Sequence, residues 1–223
     1  MIVSIHQPSY FPWLGLLDKI EKSDLYIYLN SVQLTDNTYQ NRNIFLSNQI
    51  KEHLLTIPIS KKNYLTKTID TLEVIDNRWK KKHYDFLFFN YKKHPFFNEI
   101  DPCLKNFYHK DFINLDDILF NSMKISLNLL GIKTKIIKSS ELEIDKNLKK
   151  EDLILSILKK VNATTYLSGV GAKTYQKDER FQAENIELIY QNFKHPVYEQ
   201  YKNTKFIAGL SSLDFLFNKG LKK

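Results

Sequence analysis

The spacing of apolar residues changes twice near the amino terminus, and each change predicts a new element. Residues 1–5 form an apolar, β-branched run that is typical of a buried strand. Leu14, Leu17 and Ile20 then recur at helical spacing, and residues 24–29 again have strand character. A strand, a short helix and a second strand predict a βαβ unit with parallel strands.

The alternation of strands and helices resumes after a long helical segment. Residues 79–131 are helical in pattern, and Asn114 is predicted to cap a helix that ends at Gly131. The other predicted elements are strands at 53–59, 134–137, 164–168 and 186–190, a helix at 151–161, and a terminal helix from Ser211 to Gly220. Residues 33–43 are polar with little periodicity and are interpreted as a loop. We predict an α/β fold with a mostly parallel, Rossmann-like (HUP-like) sheet, in a single domain over residues 1–223 with a helical insertion at about 79–131.

The net charge of +8 raises the question of nucleic-acid binding. The arginines are Arg42, Arg78 and Arg180, and the remaining excess is lysine that is spread along the chain. A nucleic-acid footprint would cluster its charge. We therefore interpret the charge as a solvated positive surface without a DNA partner, compatible with anionic small molecules such as nucleotides.

Two absences in the sequence predict the location of the protein. No apolar stretch approaches the roughly 20 residues of a transmembrane helix, and the amino terminus leads directly into a strand without a signal-peptide pattern. Cys103 is the single cysteine, which excludes a disulfide framework within the chain. We expect a cytoplasmic protein without a membrane span.

The segment from His6 to Gly15 is the strongest candidate for a functional site. His6 and Gln7 follow the first strand, at the sheet edge where open parallel sheets bind ligands. Tyr10 and Trp13 add aromatic rings that could stack on a base or a sugar. Alternatively, His6 satisfies buried backbone groups and the aromatic side chains close the end of the sheet.

Charged residues on the first predicted helix are further candidates. Asp18 is a candidate catalytic carboxylate and Lys19 a candidate substrate-binding residue. Asp18 could instead pair with Lys19 or Lys22 on the surface.

A second polar cluster precedes the predicted strand at 53–59. It consists of Gln40, Asn41, Arg42 and Asn43. The planar guanidinium of arginine matches carboxylate or phosphate, which lysine cannot reproduce, so Arg42 is a candidate anion clamp. The alternative is an exposed loop, since asparagine is common in turns.

A glycine-containing turn follows the predicted strand at 164–168. Ser168, Gly169 and Gly171 lie where backbone amides could cradle an anion, although a sharp strand-to-helix turn explains the same pattern. The chain has no Walker motif and no dinucleotide fingerprint after its first strand. The sequence therefore does not support binding of ATP or NAD through their common motifs, and no tightly bound cofactor is expected.

A loop near the carboxyl end repeats the residue types of the opening segment. It contains His195, Tyr198 and Gln200. His6 and His195 are the best general acid or base candidates, and the two loops could converge at one pocket. No spacing among the other histidines matches a metal site, so no metal is predicted. Asp214 is interpreted first as a first-turn residue of the helix that Ser211 caps, with a catalytic role as the alternative.

Taken in order, these motifs resemble the WbqC-like protein family over nearly the whole chain. The residues that carry the resemblance are His6–Gly15 with Asp18 and Lys19, Gln40–Asn43, Tyr166–Gly171, His195–Gln200 and Leu210–Gly220. One departure stands at Asn30 and Ser31, where relatives tend to carry aspartate after the second strand. No catalytic role is therefore placed there.

The resemblance implies a tailoring step in the biosynthesis of O-antigen or another bacterial surface polysaccharide. The implied reaction is acyl or aminoacyl transfer to the amine of a nucleotide-linked amino sugar, with aminoacyl-tRNA as one possible donor. We assign catalytic roles to His6, His195 and Asp18. We assign substrate-binding roles to Gln7, Tyr10, Trp13, Lys19, Gln40, Asn41, Arg42, Asn43, Ser168, Gly169, Gly171, Tyr198 and Gln200.

Two alternatives remain open at the level of sequence. The strand–loop–helix opening with a histidine is like that of nucleotidylyl-transfer or adenylate-forming enzymes of the HUP type, which is a fold-level analogy. A non-catalytic nucleotide-sugar binding or scaffold protein is the second alternative.

Overall fold

The computed structural model describes residues 1–35, 38–62, 64–174 and 176–221. The described strands are β1 (Ile2–His6), β2 (Leu25–Tyr28), β3 (Arg42–Leu46), β4 (Glu52–Thr56), β5 (Lys135–Lys138), β6 (Thr165–Ser168) and β7 (Glu187–Tyr190). The described α-helices are α1 (Leu14–Glu21), α2 (Arg78–Tyr91), α3 (Phe97–His109), α4 (Leu115–Leu129), α5 (Lys150–Lys160), α6 (Asp178–Gln182) and α7 (Ser212–Lys219).

The chain divides into two units, each built from separate segments. The sheet unit contains Met1–Gln7, Gly15–Ser31 and Lys133–Lys194. The helical unit contains Pro8–Leu14, Val32–Ile132 and His195–Lys223. The sequence prediction of a single domain with an insertion at about 79–131 stays a prediction.

The sheet unit is built on five parallel strands in the order β5-β2-β1-β6-β7. Every residue of β2 is buried, which explains its continuous apolar character, because a parallel sheet has both faces covered. Ile5 pairs with Ile27 and His6 with Tyr28, so the strands end at a common carboxyl edge. The predicted α/β, Rossmann-like fold is confirmed.

The helical unit contains a strand that the sequence did not predict. β3 and β4 form an antiparallel hairpin in a sheet of their own, with Arg42 opposite Thr56 and Leu46 opposite Glu52. The prediction of a loop over 33–43 was therefore wrong at its end. β3 begins with two polar residues, Arg42 and Asn43. A strand prediction that depends on alternating apolar residues does not detect such a start.

Predicted helix ends in the helical unit are confirmed. The Asn114 side chain accepts a hydrogen bond from the Asp117 amide at 3.0 Å, and Gly131 has a φ of 69°. Gly220 follows α7 with a φ of 82°, and a Cβ there would lie 2.7 Å from the ring of Phe96. Both the backbone and the neighbouring ring therefore require glycine at 220.

None of the described helices is both long enough and apolar enough to cross a bilayer.

Candidate functional site

His6 lies at the carboxyl edge of the sheet unit, as the last residue of β1. Its Nδ1 atom lies 2.7 Å from the carbonyl oxygen of Gln7. Because a carbonyl oxygen only accepts hydrogen bonds, Nδ1 carries the proton and donates it. In the neutral ring the lone pair is then on Nε2, which is the nitrogen available to accept a proton.

The surroundings of His6 favour this neutral form. The side chain keeps solvent-accessible surface, so a ligand can reach it, but nearby protein atoms desolvate the ring. Desolvation and the positive charge of Lys19 lower the pKa of His6 to about 4, and the hydrogen bond to the Gln7 carbonyl opposes this shift. His6 is therefore an unprotonated imidazole at neutral pH.

Lys19 ties α1 to the end of β1. Its side chain is 4 % exposed, and its Nζ donates to the carbonyl of Ile5 at 3.0 Å. Burial lowers the pKa of Lys19 to about 8. The Lys19 ammonium therefore lies beside the backbone that carries His6, and its positive charge lowers the pKa of His6.

Asp18 accepts hydrogen bonds on the same helix. It forms an ion pair with Lys22 at 2.8 Å and accepts a hydrogen bond from the Gln191 side chain at 2.7 Å. Gln191 also donates to the carbonyl of Gly15 at 2.8 Å. The carboxylate thus holds the segment that follows β7, and its catalytic role stays a prediction.

The turn after β6 leaves its backbone open. Ser168 donates to the Gln176 side chain at 2.8 Å. Neither Gly169 nor Gly171 has a positive φ, and a Cβ at either position would have no heavy atom within 4 Å. The fold therefore does not require glycine there, whereas close approach of a ligand to the backbone would.

Asn30 occupies the position where the family resemblance led us to expect aspartate. It is fully buried, its Oδ1 accepts from the amide of Ser140 at 3.1 Å, and its Nδ2 donates to the hydroxyl of Ser140 at 3.0 Å. An aspartate lacks that donor. Asn30 therefore joins the ends of β2 and β5 as a structural amide.

Tyr10 belongs to the core of the helical unit. Its ring is 0 % exposed, and its hydroxyl lies 2.6 Å from that of Tyr108 and 3.1 Å from Nδ1 of His83. A fully buried ring cannot stack on a ligand. The expectation that Tyr10 binds substrate is corrected on this ground, whereas Trp13 is 38 % exposed.

Two members of the second polar cluster support the backbone around Tyr10. Asn43 donates to the carbonyls of Tyr10 and Phe11 at 2.9 and 2.8 Å, and the carbonyl of Gln40 accepts from the Tyr10 amide at 2.9 Å. Phe11 has a φ of 40°, a strained value for a non-glycine residue. Asn43 and Gln40 are 2 % and 3 % exposed, so they act as braces of this strained segment.

Asn41 and Arg42 lie between Gln40 and Asn43 in the sequence and are half-buried. Asn41 donates to the carbonyl of Ile57 at 2.9 Å. The Nε of Arg42 donates to the carbonyl of Thr38 at 3.1 Å. A guanidinium has five N–H donors and this bond uses one of them, so Arg42 stays a candidate for holding an anion.

A buried carboxylate in the helical unit organises the carboxyl-terminal loop. Asp214 is 1 % exposed and accepts hydrogen bonds from Tyr198 at 2.8 Å, Gln200 at 3.2 Å and Tyr91 at 3.2 Å. Burial raises the pKa of Asp214, and these three hydrogen bonds oppose the shift. Tyr198 and Gln200 thus meet at one carboxylate. Sequence reasoning placed Asp214 in the first turn of a helix and missed Tyr91, for which the sequence carries no signal.

His195 lies in the same loop and is half-buried. Its Nδ1 lies 2.9 Å from the carbonyl of Pro196, which fixes the same tautomer as in His6. Its ring packs against Phe206 with 5.3 Å between centroids. A role in proton transfer stays a prediction for His195.

Comparison with known proteins gives one family and one relative. The model of the WbqC-like protein family matches residues 7–223. The chain is 29 % identical over 224 residues to a protein of Mycobacterium tuberculosis described as uncharacterized protein Rv1507c, covering 98 % of this chain and 94 % of that protein. No solved structure matches.

Proposed function

Because the chain belongs to the WbqC-like protein family, we propose that it is an enzyme of bacterial surface polysaccharide (O-antigen) biosynthesis. In this proposal it transfers an acyl or aminoacyl group to the amine of a nucleotide-linked amino sugar. The family resemblance motivates the pathway and the substrate class.

The observation that carries the proposal is the state of His6. The amine nitrogen of the sugar attacks the carbonyl carbon of the donor, a C–N bond forms, and the donor's leaving group departs. The nitrogen loses a proton in this step, and Nε2 of His6 accepts it. The fixed tautomer and the neutral ring are the two properties that this role needs.

Binding of substrate strengthens His6 as a base. The substrate carries a diphosphate, and negative charge near an imidazole favours its protonated form. We therefore expect the pKa of His6, which is about 4 in the free protein, to rise when the anionic substrate binds. The open backbone at Gly169 and Gly171 is the part of the same edge that suits close approach of the anionic group.

The experiment is a product assay on the full chain. Purified protein is incubated with nucleotide-linked amino sugars and either an acyl-CoA or an aminoacyl-tRNA, and products are identified by mass spectrometry. We expect one acyl mass to be added to the sugar. The matched control is the N-acetylated form of each sugar, which lacks the free amine and should stay unchanged. Acylation of that control, or no acylation of any amino sugar by any donor, contradicts the proposal.

A second candidate function is nucleotidylyl transfer or adenylate formation. The feature that favours it is a histidine at the end of the first strand of the parallel sheet together with an open glycine turn after β6. The same assay with an added nucleoside triphosphate and magnesium separates the two, because this second reaction consumes the triphosphate and releases pyrophosphate. Saturable binding of a nucleotide sugar without any turnover would instead favour a binding or scaffold protein.

A further inference from the structure

The helical unit contains a cavity of about 430 Å³. It lies between the β3–β4 hairpin, the carboxyl end of α2 and the loop after Tyr198. Its volume is within the range of small-molecule sites. The residues that matter for its chemistry are Ile50, Phe89, Lys92, Lys93, Tyr201 and Lys202.

The cavity has an excess of positive charge. Lys92, Lys93 and Lys202 line it, and Asp214 is the one carboxylate among the described lining residues. Asp214 already accepts three hydrogen bonds from the protein. None of the three lysines forms an ion pair with a described carboxylate. Their charges therefore suit an anionic ligand.

Two of these ammonium groups lie over aromatic rings. Nζ of Lys92 lies 5.1 Å from the ring centre of Phe88, and Nζ of Lys202 lies 5.4 Å from that of Tyr201. A cation over a ring face keeps its charge while its side chain is restricted.

His94 contributes a ring to the lining of the cavity. Its ring lies between Tyr91 and Tyr201, with 4.7 and 4.8 Å between centroids. The His94 ring therefore extends the aromatic part of the lining beside Tyr201.

Apolar surface completes the lining. Phe89 is 62 % exposed and Ile50 is 39 % exposed, and both face solvent from the same cavity. Exposed large hydrophobic residues that gather at one place are typical of binding sites. With Tyr201 they offer a surface for a ring.

We propose that this cavity binds an organic phosphate, with the phosphoryl group at the lysines and the sugar or base ring against Phe89 and Tyr201. A phosphoryl group carries about −1.5 to −2 charges near neutral pH, which matches several ammonium groups better than a single carboxylate does. The proposal does not depend on the acyl-transfer reaction, and it stands if that reaction is disproved.

Calorimetric titration of the full chain tests the ligand class. The probes are uridine monophosphate, glucose 1-phosphate, inorganic phosphate, uridine and citrate. We expect the two organic phosphates to bind and both uridine and citrate to bind at least about tenfold more weakly, since each lacks either the charge or the ring. Absence of binding by both organic phosphates overturns the proposal, as does preferential binding of citrate. If inorganic phosphate binds as tightly as both organic phosphates, the proposed contact of the sugar or base ring with Phe89 and Tyr201 is overturned.

Two matched variants test the position. Lys93→Glu reverses a charge in the cavity, and we expect it to weaken the phosphate probes at least about tenfold. Lys82→Glu makes the same change at an exposed position of α2 outside the lining, and we expect it to bind like the wild type. Equal weakening by both variants would indicate a general charge effect and would overturn the proposal.

His6→Asn separates this site from the proposed active site. We expect the variant to bind the phosphate probes as the wild type does while failing in acyl transfer. If His6→Asn no longer binds the phosphate probes and Lys93→Glu still binds them, the phosphate binds at the carboxyl edge of the sheet and the cavity proposal fails.

Discussion

The carboxyl edge of the sheet unit and the Asp214 cluster of the helical unit are both rich in polar side chains, but they differ in how those side chains are satisfied. At the sheet edge His6 is accessible and keeps a lone pair on Nε2, and the Gly169 turn leaves its backbone open. In the Asp214 cluster the carboxylate is fully buried and bonded to Tyr91, Tyr198 and Gln200.

This difference separates groups that are available for chemistry from groups that hold the fold. A buried carboxylate that accepts several hydrogen bonds from the protein stabilises the elements that carry those donors. An accessible imidazole with a fixed tautomer has the opposite properties. The contrast predicts which changes should lower the stability of the fold and which should lower activity or ligand binding.

The largest effect on stability is expected for Asp214→Ala. The change leaves three buried donors without their acceptor, and each unsatisfied group costs roughly 1–3 kcal/mol, so we expect a loss of about 3 kcal/mol or more. Urea denaturation followed by circular dichroism measures the free energy of unfolding. A loss below about 1 kcal/mol would show that the cluster contributes little to the fold.

His6→Asn is expected to act on turnover and not on stability. Removal of a general base typically lowers the rate by a factor of roughly 10²–10⁴, so we expect a fall of well over tenfold in kcat. His109→Asn is the matched control, because His109 is an exposed histidine at the end of α3. Wild-type turnover in His6→Asn would disprove the assigned role, as would an equal loss in the control.

The pH dependence of the reaction sharpens the role of His6. In the free protein its pKa is about 4, so kcat/KM should fall only when the pH approaches that value. In the complex the anionic substrate raises this pKa, so the acid limb of kcat should lie at a higher pH than that of kcat/KM. Initial rates across pH 4 to 8 give both limbs. An acid limb of kcat/KM at the ordinary imidazole value near 6.5 would contradict the environment described for His6.

A small effect on stability is expected for Gly169→Ala. Since the φ of Gly169 is not positive and the added Cβ meets no atom within 4 Å, we expect the free energy of unfolding to change by at most about 0.5 kcal/mol. Binding of the nucleotide sugar should weaken, because the methyl group would occupy the space that the ligand approaches. Gly220→Ala is the contrasting control and should lower stability, because its Cβ would meet Phe96. Unchanged binding by Gly169→Ala would remove the turn from the site.

The main elements of the sheet unit were predictable because each has its own spacing of apolar residues, which can be read from a short stretch of sequence. The runs that form β1 and β2 are continuous and the helix between them is periodic, so their parallel pairing followed from known connections. β3 was missed because its pairing with β4 is set by the hairpin and not by its own polar first residues. Strand propensity depends on such neighbours more than on the residue itself.

Individual site residues were harder to assign, for a physical reason that Tyr10 illustrates. The sequence of a loop motif does not show whether a tyrosine hydroxyl is exposed to solvent or buried. In this structure the Tyr10 hydroxyl is buried against Tyr108 and His83, which lie far from it along the chain. Asp214 shows the reverse case, since its position in a first helical turn concealed a buried carboxylate. Burial arises from long-range packing, which a single sequence does not display.

The division of the chain into interleaved segments bears on how this protein can change during evolution. The chain leaves one unit for the other after Gln7, Leu14, Ser31, Ile132 and Lys194. No contiguous stretch of the gene therefore encodes either unit in full. Recombination cannot exchange one unit as a module, and a new specificity has to arise by substitution or by insertion within the existing segments.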